Sequence, residues 1–343
     1  MEKKLAILLL LIMNFAVIVS LFVYHSPSVA SSSEGYLFTF AHITDSHLLT
    51  SKSTTEKAIS WLAEQDSISF VVHTGDIVDR PSDEIAWKTA NEYMHRLDNR
   101  CEWAVLAGNH DVLSWSGLDS SNYERHFGNS TDQYTVIGDR LLFVLLGWNN
   151  FDGSISQERL EWTDSIIEKH ERMKTVICLH PLLFGLSSLN FLGLPNYEEM
   201  WRHIDKHDNV VITLSGHIHL NWVQVRSNGR REVWATSTEA LKDRGYVRLF
   251  DVYEDRIEVF AYSPWKNQTY SGTLDLFTIA LKADNIDGDG DSWMNSLDPM
   301  PTHPLVPNGI LASLTTTIVV LVLWIREGRT SVRENTPVNV DPC

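Results

Sequence analysis

The sequence predicts an α/β fold between Leu37 and Leu281, and three observations carry that expectation. Short apolar runs alternate with amphipathic stretches of helical spacing. Gly, Asp, Asn or His repeatedly stands where a run ends. Setting aside an apolar segment near each end leaves roughly 245 residues, enough for one large core or two small ones, and one catalytic domain with short appendages is the simpler division.

Taken in order, Leu37 to Ile43, Ile68 to His73, Trp103 to Ala107, Leu141 to Leu146, Thr175 to Leu179 and Val210 to Leu214 are apolar runs of strand length. Between them, Thr54 to Glu64, Ser82 to Leu97 and Ser156 to His170 have helical character. The last opens on Ser156 and sets Leu160, Trp162, Ile166 and Ile167 mostly on one side, which predicts a helix lying on a sheet. After Arg231 the text is β-rich. Gly245 to Val252 and Arg256 to Tyr262 flank Tyr253-Glu254-Asp255 as a hairpin.

Composition narrows the function. The formal charge is -16, from 28 basic against 44 acidic residues, and no long basic cluster interrupts the acidic background, so binding to nucleic-acid backbones is not expected. With 43% hydrophobic and 21% charged residues the chain reads as a packed globular protein. Cys101, Cys178 and Cys343 show no paired spacing for a thiolate metal site or a disulfide framework, and Cys178 in its apolar run reads as a buried, inert thiol.

Polar residues gather where five of the strands end: Asp45-Ser46-His47, Gly75-Asp76, Gly108-Asn109-His110-Asp111, His180-Pro181 and Gly216-His217-Ile218-His219. In an open α/β sheet the carboxyl ends of strands converge on one crevice, so these groups are expected to meet there. Carboxylate, imidazole and amide oxygen together suit borderline divalent ions such as manganese, iron or zinc. In extended Asp-x-His and His-x-His triplets, period-two geometry would point both side chains the same way.

This ordered set resembles the calcineurin-like metallophosphoesterase superfamily over about Phe38 to Tyr262. The resemblance implies a four-layer α-β-β-α sandwich over residues 36–281. It implies that Asp45, His47, Asp76 and His219 hold one metal and that Asp76 bridges to a second held by Asn109, His180 and His217. The substrate is then a phosphomonoester or phosphodiester. Two divalent cations about 3.5–4 Å apart would activate a bridging water as the attacking hydroxide. His110 would sit beside the metals to neutralise the transition state or protonate the leaving oxygen, with Asp111 orienting its ring. Asp79-Arg80 looks like the phosphoprotein phosphatase version of the motif, although Pro81 follows in place of Gly, so Arg80 is read either as a phosphate contact or as a surface ion pair. Competing readings are a protein phosphatase and a catalytically silent binding or adhesion module.

Other histidines separate by context. His42 and His73 lie inside strands and read as packed groups beside the site, whereas His95, His126, His170, His203 and His207 lie in polar text and are expected to be solvated. Leu182 to Leu194 is unusually apolar beside a site and is read as an apolar subsite, a bilayer contact or a segment packed over the core.

The two ends suggest a membrane. Lys3 and Lys4 precede an apolar run from Leu5 to Val23 and then Ser28-Val29-Ala30, so residues 1–30 read as a signal peptide or a signal anchor. Residues 309–325 are long enough to span as a transmembrane helix, with a buried core helix as the alternative; Arg326, Arg329 and Arg333 follow. That orientation makes the tail 326–343 cytoplasmic and the catalytic domain extracytoplasmic at the cell membrane. Asn129 and Asn267 begin glycosylation patterns compatible with it. The linker 282–308 carries a stretch resembling calcium loops, with oxygen ligands from Asp287, Asp289, Asp291, Asn295 and Asp298; Ser292 replaces the usual Gly and Asp298 the usual Glu, so a solvated acidic linker is the alternative.

Overall fold

Strand alternation decides the layering. In Tyr36–Ile43, Phe38 and Phe40 point one way and Ala41 and Ile43 the other, yet all four are buried, so this strand has a core on both faces. The computed structural model describes residues 35–48, 52–128, 132–183, 193–227, 231–270, 272 and 274–281.

The chain runs β1 (Tyr36–Ile43), α1 (Lys52–Ala63), β2 (Ile68–His73), α2 (Glu84–His95), β3 (Glu102–Val105) and α3 (Asn109–Val112). A small hairpin, β4 (Leu113–Ser114) and β5 (Gly117–Leu118), leads to α4 (Ser121–Phe127), β6 (Asp132–Ile137), β7 (Leu141–Leu146), α5 (Gln157–Lys169) and β8 (Lys174–Leu179). Then come α6 (Tyr197–Ile204), β9 (Val210–Ser215), β10 (Trp222–Ser227), β11 (Glu232–Ser237) and α7 (Leu241–Arg244). The described chain ends with β12 (Val247–Tyr253), β13 (Arg256–Ser263), β14 (Gln268–Tyr270) and β15 (Phe277–Ala280).

The strands form two mixed sheets. One has the order β14-β13-β12-β1-β2-β3, with β15 also on β13; the other runs β10-β11-β9-β8-β7-β6. Strands β1, β2 and β3 are parallel, as are β7, β8, β9 and β11, with antiparallel strands at the margins. The five motif-bearing strand ends are therefore divided between two sheets, where the residue pattern alone suggested one crevice in one open sheet. Three cores give the four layers that the resemblance implies. Phe40, Phe70, Phe143 and Phe250 lie between the sheets, with Phe40 stacked on Phe250 at 4.4 Å. Ile59, Leu62, Trp87 and Met94 join α1 and α2 to the first sheet, and Leu160, Ile167, Met200 and Trp201 join α5 and α6 to the second. Each such aromatic or aliphatic burial stabilises the fold by about 1.5–3 kcal/mol.

Helix starts follow local chemistry. Asp83 caps α2 by accepting the Ile85 and Ala86 amides, and Ser156 caps α5 by accepting that of Arg159. Cys178 is fully buried between the sheets, and burial pushes its thiol far above the ordinary range. His203 and His207 are not solvated as their polar context suggested. They stand four residues apart at the C-terminal end of α6, are mostly buried, and grip the two oxygens of Asp164 on α5 at 2.7 and 2.8 Å. His126 is half-buried and parallel to Trp87.

Among the described residues no helix is long and apolar enough to cross a membrane. The apolar segments at 5–23 and 309–325, the calcium-loop pattern, the tail 326–343, Asn129 and residues 184–192 of the apolar stretch lie outside the described residues. The two ends of that stretch are packed, with Leu182, Leu183 and Leu194 buried.

Candidate metal centre

The loop after β1 runs on beside the loop after β2. Asp45, His47 and Leu48 donate their amides to the carbonyls of Gly75, Asp76 and Ile77 at 3.0, 3.0 and 2.9 Å. The period-two rationale for the triplets does not hold: Asp45 (φ 53°), His47 (φ 40°), His217 (φ 68°) and His219 (φ 53°) are all in the left-handed region, as is Asp76 (φ 54°). A tight turn, not an extended strand end, aims these side chains. Strain of this kind persists where surrounding structure over-determines it. Here the surroundings are glycines: a Cβ on Gly108 would overlap the Asp76 carboxylate and amide, and one on Gly216 would overlap the Thr44 hydroxyl and Asp45 carboxylate. The glycines of the third and fifth loops are where a neighbouring loop comes too close for any side chain.

Six of the seven expected ligands come together from loops on both sheets. Ligand atoms of Asp45, His47 and His219 lie within 4.8 Å of one another, and so do those of Asp76, His180 and His217. Asp76 stands between the groups, its Oδ2 at 3.1 Å from His180 Nε2 and 3.6 Å from His47 Nε2. Asn109, at the start of α3, has a buried Oδ1 without a hydrogen-bond donor, and His180 Nε2 is likewise unsatisfied.

Tautomers follow from the partners. Thr74 O can only accept, so His180 donates Nδ1–H to it at 2.7 Å, which leaves Nε2 as the ring nitrogen that can ligate once it has given up its proton. His47 donates Nδ1–H to Asp79 Oδ1 at 3.0 Å, and its Nε2 then faces His219 Nε2 at 3.2 Å. Such carboxylate or carbonyl anchors on the far nitrogen are the usual support of a metal-ligating imidazole. Two carboxylates, lone-pair nitrogens and a bare amide oxygen directed at shared space fit divalent cations.

Electrostatics agree. Burial opposes charge on Asp76, but the His180, His110 and His47 rings hold its carboxyl well below the usual carboxylate range. Burial likewise opposes charge on His180, yet the adjacent Asp76 pushes its pKa up to about 9. Burial lowers His47 against the pull of Asp76, favouring the neutral ring that ligation requires.

His110 and Asp111 correct the expected pairing. His110 lies exposed at the mouth, its amide donating to Asp76 Oδ1 at 2.8 Å and its ring Nδ1–H to the Asp79 carbonyl at 3.0 Å. Asp111 does not orient that ring. It is fully buried, and its carboxylate accepts the amides of Ile77, Val78 and Gly108 at 2.9, 3.0 and 2.8 Å. Burial and the neighbouring Asp76 push the Asp111 pKa up to about 8. Both its oxygens are engaged as acceptors, so the ionised form fits these contacts better, and cations beside Asp76 would offset the repulsion that raises it.

Around this lies a supporting shell, of which Asp79, Arg80, His42 and His73 stand beside the motifs in sequence and Trp148 and Arg159 do not. Asp79 anchors two rings, one through its side chain and one through its carbonyl. Arg80 beside it is exposed, and neither an ion pair nor a hydrogen bond of its side chain is found among the described residues. His73 accepts the Gly75 amide on Nδ1 and donates Nε2–H to Ser46, and burial pushes its pKa down to about 4. His42 is fully buried between the hydroxyls of Thr74 and Thr238, both at 2.8 Å, and burial and then Arg248 lower it well below its ordinary value. Both are packed neighbours of the site, as their strand positions implied. Trp148 lies 5.6 Å from the His217 ring; Arg159 holds its loop through Gly147 O at 2.7 Å and through Asn149 Oδ1.

An uncharacterized protein of Bacillus subtilis (strain 168), YvnB, is 27% identical over 291 residues, which cover 73% of this chain and 21% of that one. The chain thus spans about a fifth of that relative's length. The 3',5'-cyclic adenosine monophosphate phosphodiesterase CpdA of Escherichia coli (strain K12) is 30% identical over 185 residues, covering 51% of this chain and 62% of CpdA. A dimetal phosphatase from Danio rerio shares the fold, with a TM-score of 0.56 at 17% identity over 72% of this chain and 100% of that one. The profile of the calcineurin-like phosphoesterases matches residues 38–264, and the chain belongs to that family.

Proposed function

We propose that the chain is a dinuclear metal-dependent phosphoesterase that hydrolyses phosphomonoesters or phosphodiesters. The observation that carries this reading is the convergence of six side chains from four loops, Asp45, His47, Asp76, His180, His217 and His219, beside the buried and unsatisfied Asn109 Oδ1. Asp45, His47, Asp76 and His219 would hold one cation; Asp76, Asn109, His180 and His217 would hold the other. When bound, a divalent pair supplies a nucleophile at neutral pH and offsets charge on the phosphoryl oxygens.

The chain's own residues do the rest. Asp79 fixes the tautomers of His47 and His110, and Thr74 that of His180. With Nδ1–H committed to the Asp79 carbonyl, His110 presents Nε2 at the mouth, where the imidazolium would donate its proton to the departing oxygen. The relative named as a cyclic nucleotide phosphodiesterase supports diester substrates. A silent binding module is the less economical reading, because a complete ligand set with committed tautomers has no use in one.

We place the catalytic domain outside the cytoplasm, held at the cell membrane by residues 309–325 with a cytoplasmic tail; the apolar segments at 5–23 and 309–325 and the arginines after the second support this. A calcium ion at Asp287, Asp289, Asp291, Asn295 and Asp298 is part of the same proposal. The test is to strip metal with a chelator, restore manganese, zinc or iron, and assay p-nitrophenyl phosphate and bis(p-nitrophenyl) phosphate. Metal-dependent turnover is expected; its absence for every metal and both esters would overturn the reading.

A further inference from the structure

Among the ligand residues with left-handed backbone, His219 (φ 53°) is the exception: no hydrogen bond of its own backbone is found among the described residues. Its hold lies two residues on, at Asn221. That side chain is engaged at both ends, Oδ1 accepting from the Arg248 guanidinium and Nδ2 donating to Asp275 Oδ1 at 2.5 Å. Arg248 stands on β12 in the first sheet and is fully buried. It also donates to the Thr238 hydroxyl at 3.2 Å and to the carbonyls of Ser237 at 3.2 Å and Leu274 at 3.1 Å. Among the described residues no carboxylate pairs with it directly. Asp275, which accepts the Tyr246 hydroxyl at 2.5 Å as well, is reached through Asn221.

A buried cation is costly to desolvate, and four neutral oxygens offset that only when all are held in place. Two of these contacts bear on one loop. Asn221 closes the loop that carries His217 and His219, and Ser237, whose hydroxyl donates to the Gly216 carbonyl at 3.2 Å, holds its start. The loop leaves β9 and enters β10, both in the second sheet, whereas the guanidinium is fixed in the first. Arg offers five N–H donors in a rigid fork, which is what acceptors on separate segments require. We propose that Arg248 is a positioning residue of the metal centre, gripping both ends of the His217–His219 loop through Ser237 and Asn221 and so setting His219 against Asp45 and His47, which leave the first sheet. A second arm runs from the Thr238 hydroxyl to His42 Nδ1 and from His42 Nε2 to the Thr74 hydroxyl, each at 2.8 Å, and ends on the residue whose carbonyl fixes His180. This rests on the dinuclear reading of the site and names what holds its least anchored ligand.

The experiment uses the full chain with two substitutions: Arg248→Lys, which keeps the charge without the fork, and Asn221→Ala, the milder change because this side chain is half-buried. Metal-free proteins are titrated with manganese by calorimetry, loaded with cobalt for a visible spectrum, and melted. Each variant should bind manganese about tenfold more weakly, as for other groups that support metal ligands, and show an altered cobalt spectrum at saturating metal. The double variant should bind manganese no more weakly than the worse single one, since either change breaks the same tie. His207→Ala, which removes a buried contact between α5 and α6, should lower the melting midpoint and leave affinity and spectrum unchanged. Should Arg248→Lys fail to fold, Asn221→Ala decides alone. Variants that melt lower but bind both metals as wild type does would overturn the proposal, as would losses of affinity that add in the double variant. Wild type that binds metal but turns over no ester would remove the phosphoesterase reading alone; wild type that binds no metal would remove both.

Discussion

Replacing Asp111 separates two accounts of the site. Motif order casts Asp111 as the residue that orients His110, but its three acceptor contacts make it a tie between the second and third loops. One oxygen takes the amides of Ile77 and Val78, directly after Asp76; the other takes that of Gly108, directly before Asn109. Asp111→Ala leaves three buried N–H groups without an acceptor. At about 1–3 kcal/mol for each orphaned group, and with some relief from entering water, the loss is about 3–5 kcal/mol. That is a large part of the roughly 5–15 kcal/mol that a domain has. Asp111→Asn keeps one oxygen for Ile77 and Val78 but sets an NH2 against the Gly108 amide, so it loses about 1–2 kcal/mol.

Thermal unfolding of the metal-free chain reads both values. At about 2–4 °C per kcal/mol for a domain of this size, Ala should lower the midpoint by about 6–20 °C and Asn by a few degrees. Manganese affinity should fall in the same order, because Asp76 and Asn109 sit on the two loops being untied. An Ala variant with wild-type midpoint and metal affinity but little turnover would refute the tie and return Asp111 to the role of orienting His110.

Other consequences follow from the same contacts. His110→Ala should lose most of kcat while binding both metals, since its ring is at the mouth; loss of metal with full residual turnover would contradict this. Asp79→Ala should weaken metal binding by about 10–100-fold through His47, yet retain much of kcat at saturating metal because the carbonyl that holds His110 remains; titration with manganese followed by saturated kinetics checks both halves. Gly108→Ala and Gly216→Ala should each destabilise the chain by about 1–3 kcal/mol and impair metal uptake, measured by unfolding and calorimetry. Metal uptake should release a proton near neutral pH, because His180 is held protonated up to about 9 in the metal-free pocket and must lose that proton to ligate. Affinity therefore rises with pH up to about that value; calorimetry in buffers of different ionisation enthalpy that showed no proton release at neutral pH would exclude it.

The central strands were legible because each is an apolar run closed by Gly, Asp or His, and β2 and β7 begin and end where the runs do. Residues with marginal contrast were not. Asp132–Ile137 is mostly half-exposed at a sheet edge, Tyr197–Ile204 is short, and Gln268–Tyr270 has no apolar run at all. The seven candidate ligands were legible as residue types after strands, but their division between two sheets was not, since strand pairing depends on partners distant in sequence. Thr74 and Trp148 serve the site through contacts with His180 and His217, and nothing in their own neighbourhoods of sequence marks them, whereas Asp79 was marked by the Asp79-Arg80 pattern but not as the anchor of His47. Asp111 was misassigned for the same reason: adjacency to His110 suggested a partner, while its carboxylate turns inward to backbone amides.

The left-handed backbone at Asp45, His47, Asp76, His217 and His219 links these levels. At about 1–3 kcal/mol each, such conformations would together rival the whole stability of a domain if nothing held them. What holds them is on the neighbouring loops. His47 and Asp45 donate amides to the Asp76 and Gly75 carbonyls, the His217 amide donates to the Asp45 carboxylate at 3.0 Å, and Gly108 and Gly216 allow the backbones to close. Asp45, His47, Asp76 and His217 are thus each held by a loop other than their own, so these loops cannot relax alone. A site assembled this way should lose its ligand geometry as a unit: any substitution that separates two of the loops, whether at Gly108, Gly216 or Asp111, should weaken both metal positions together.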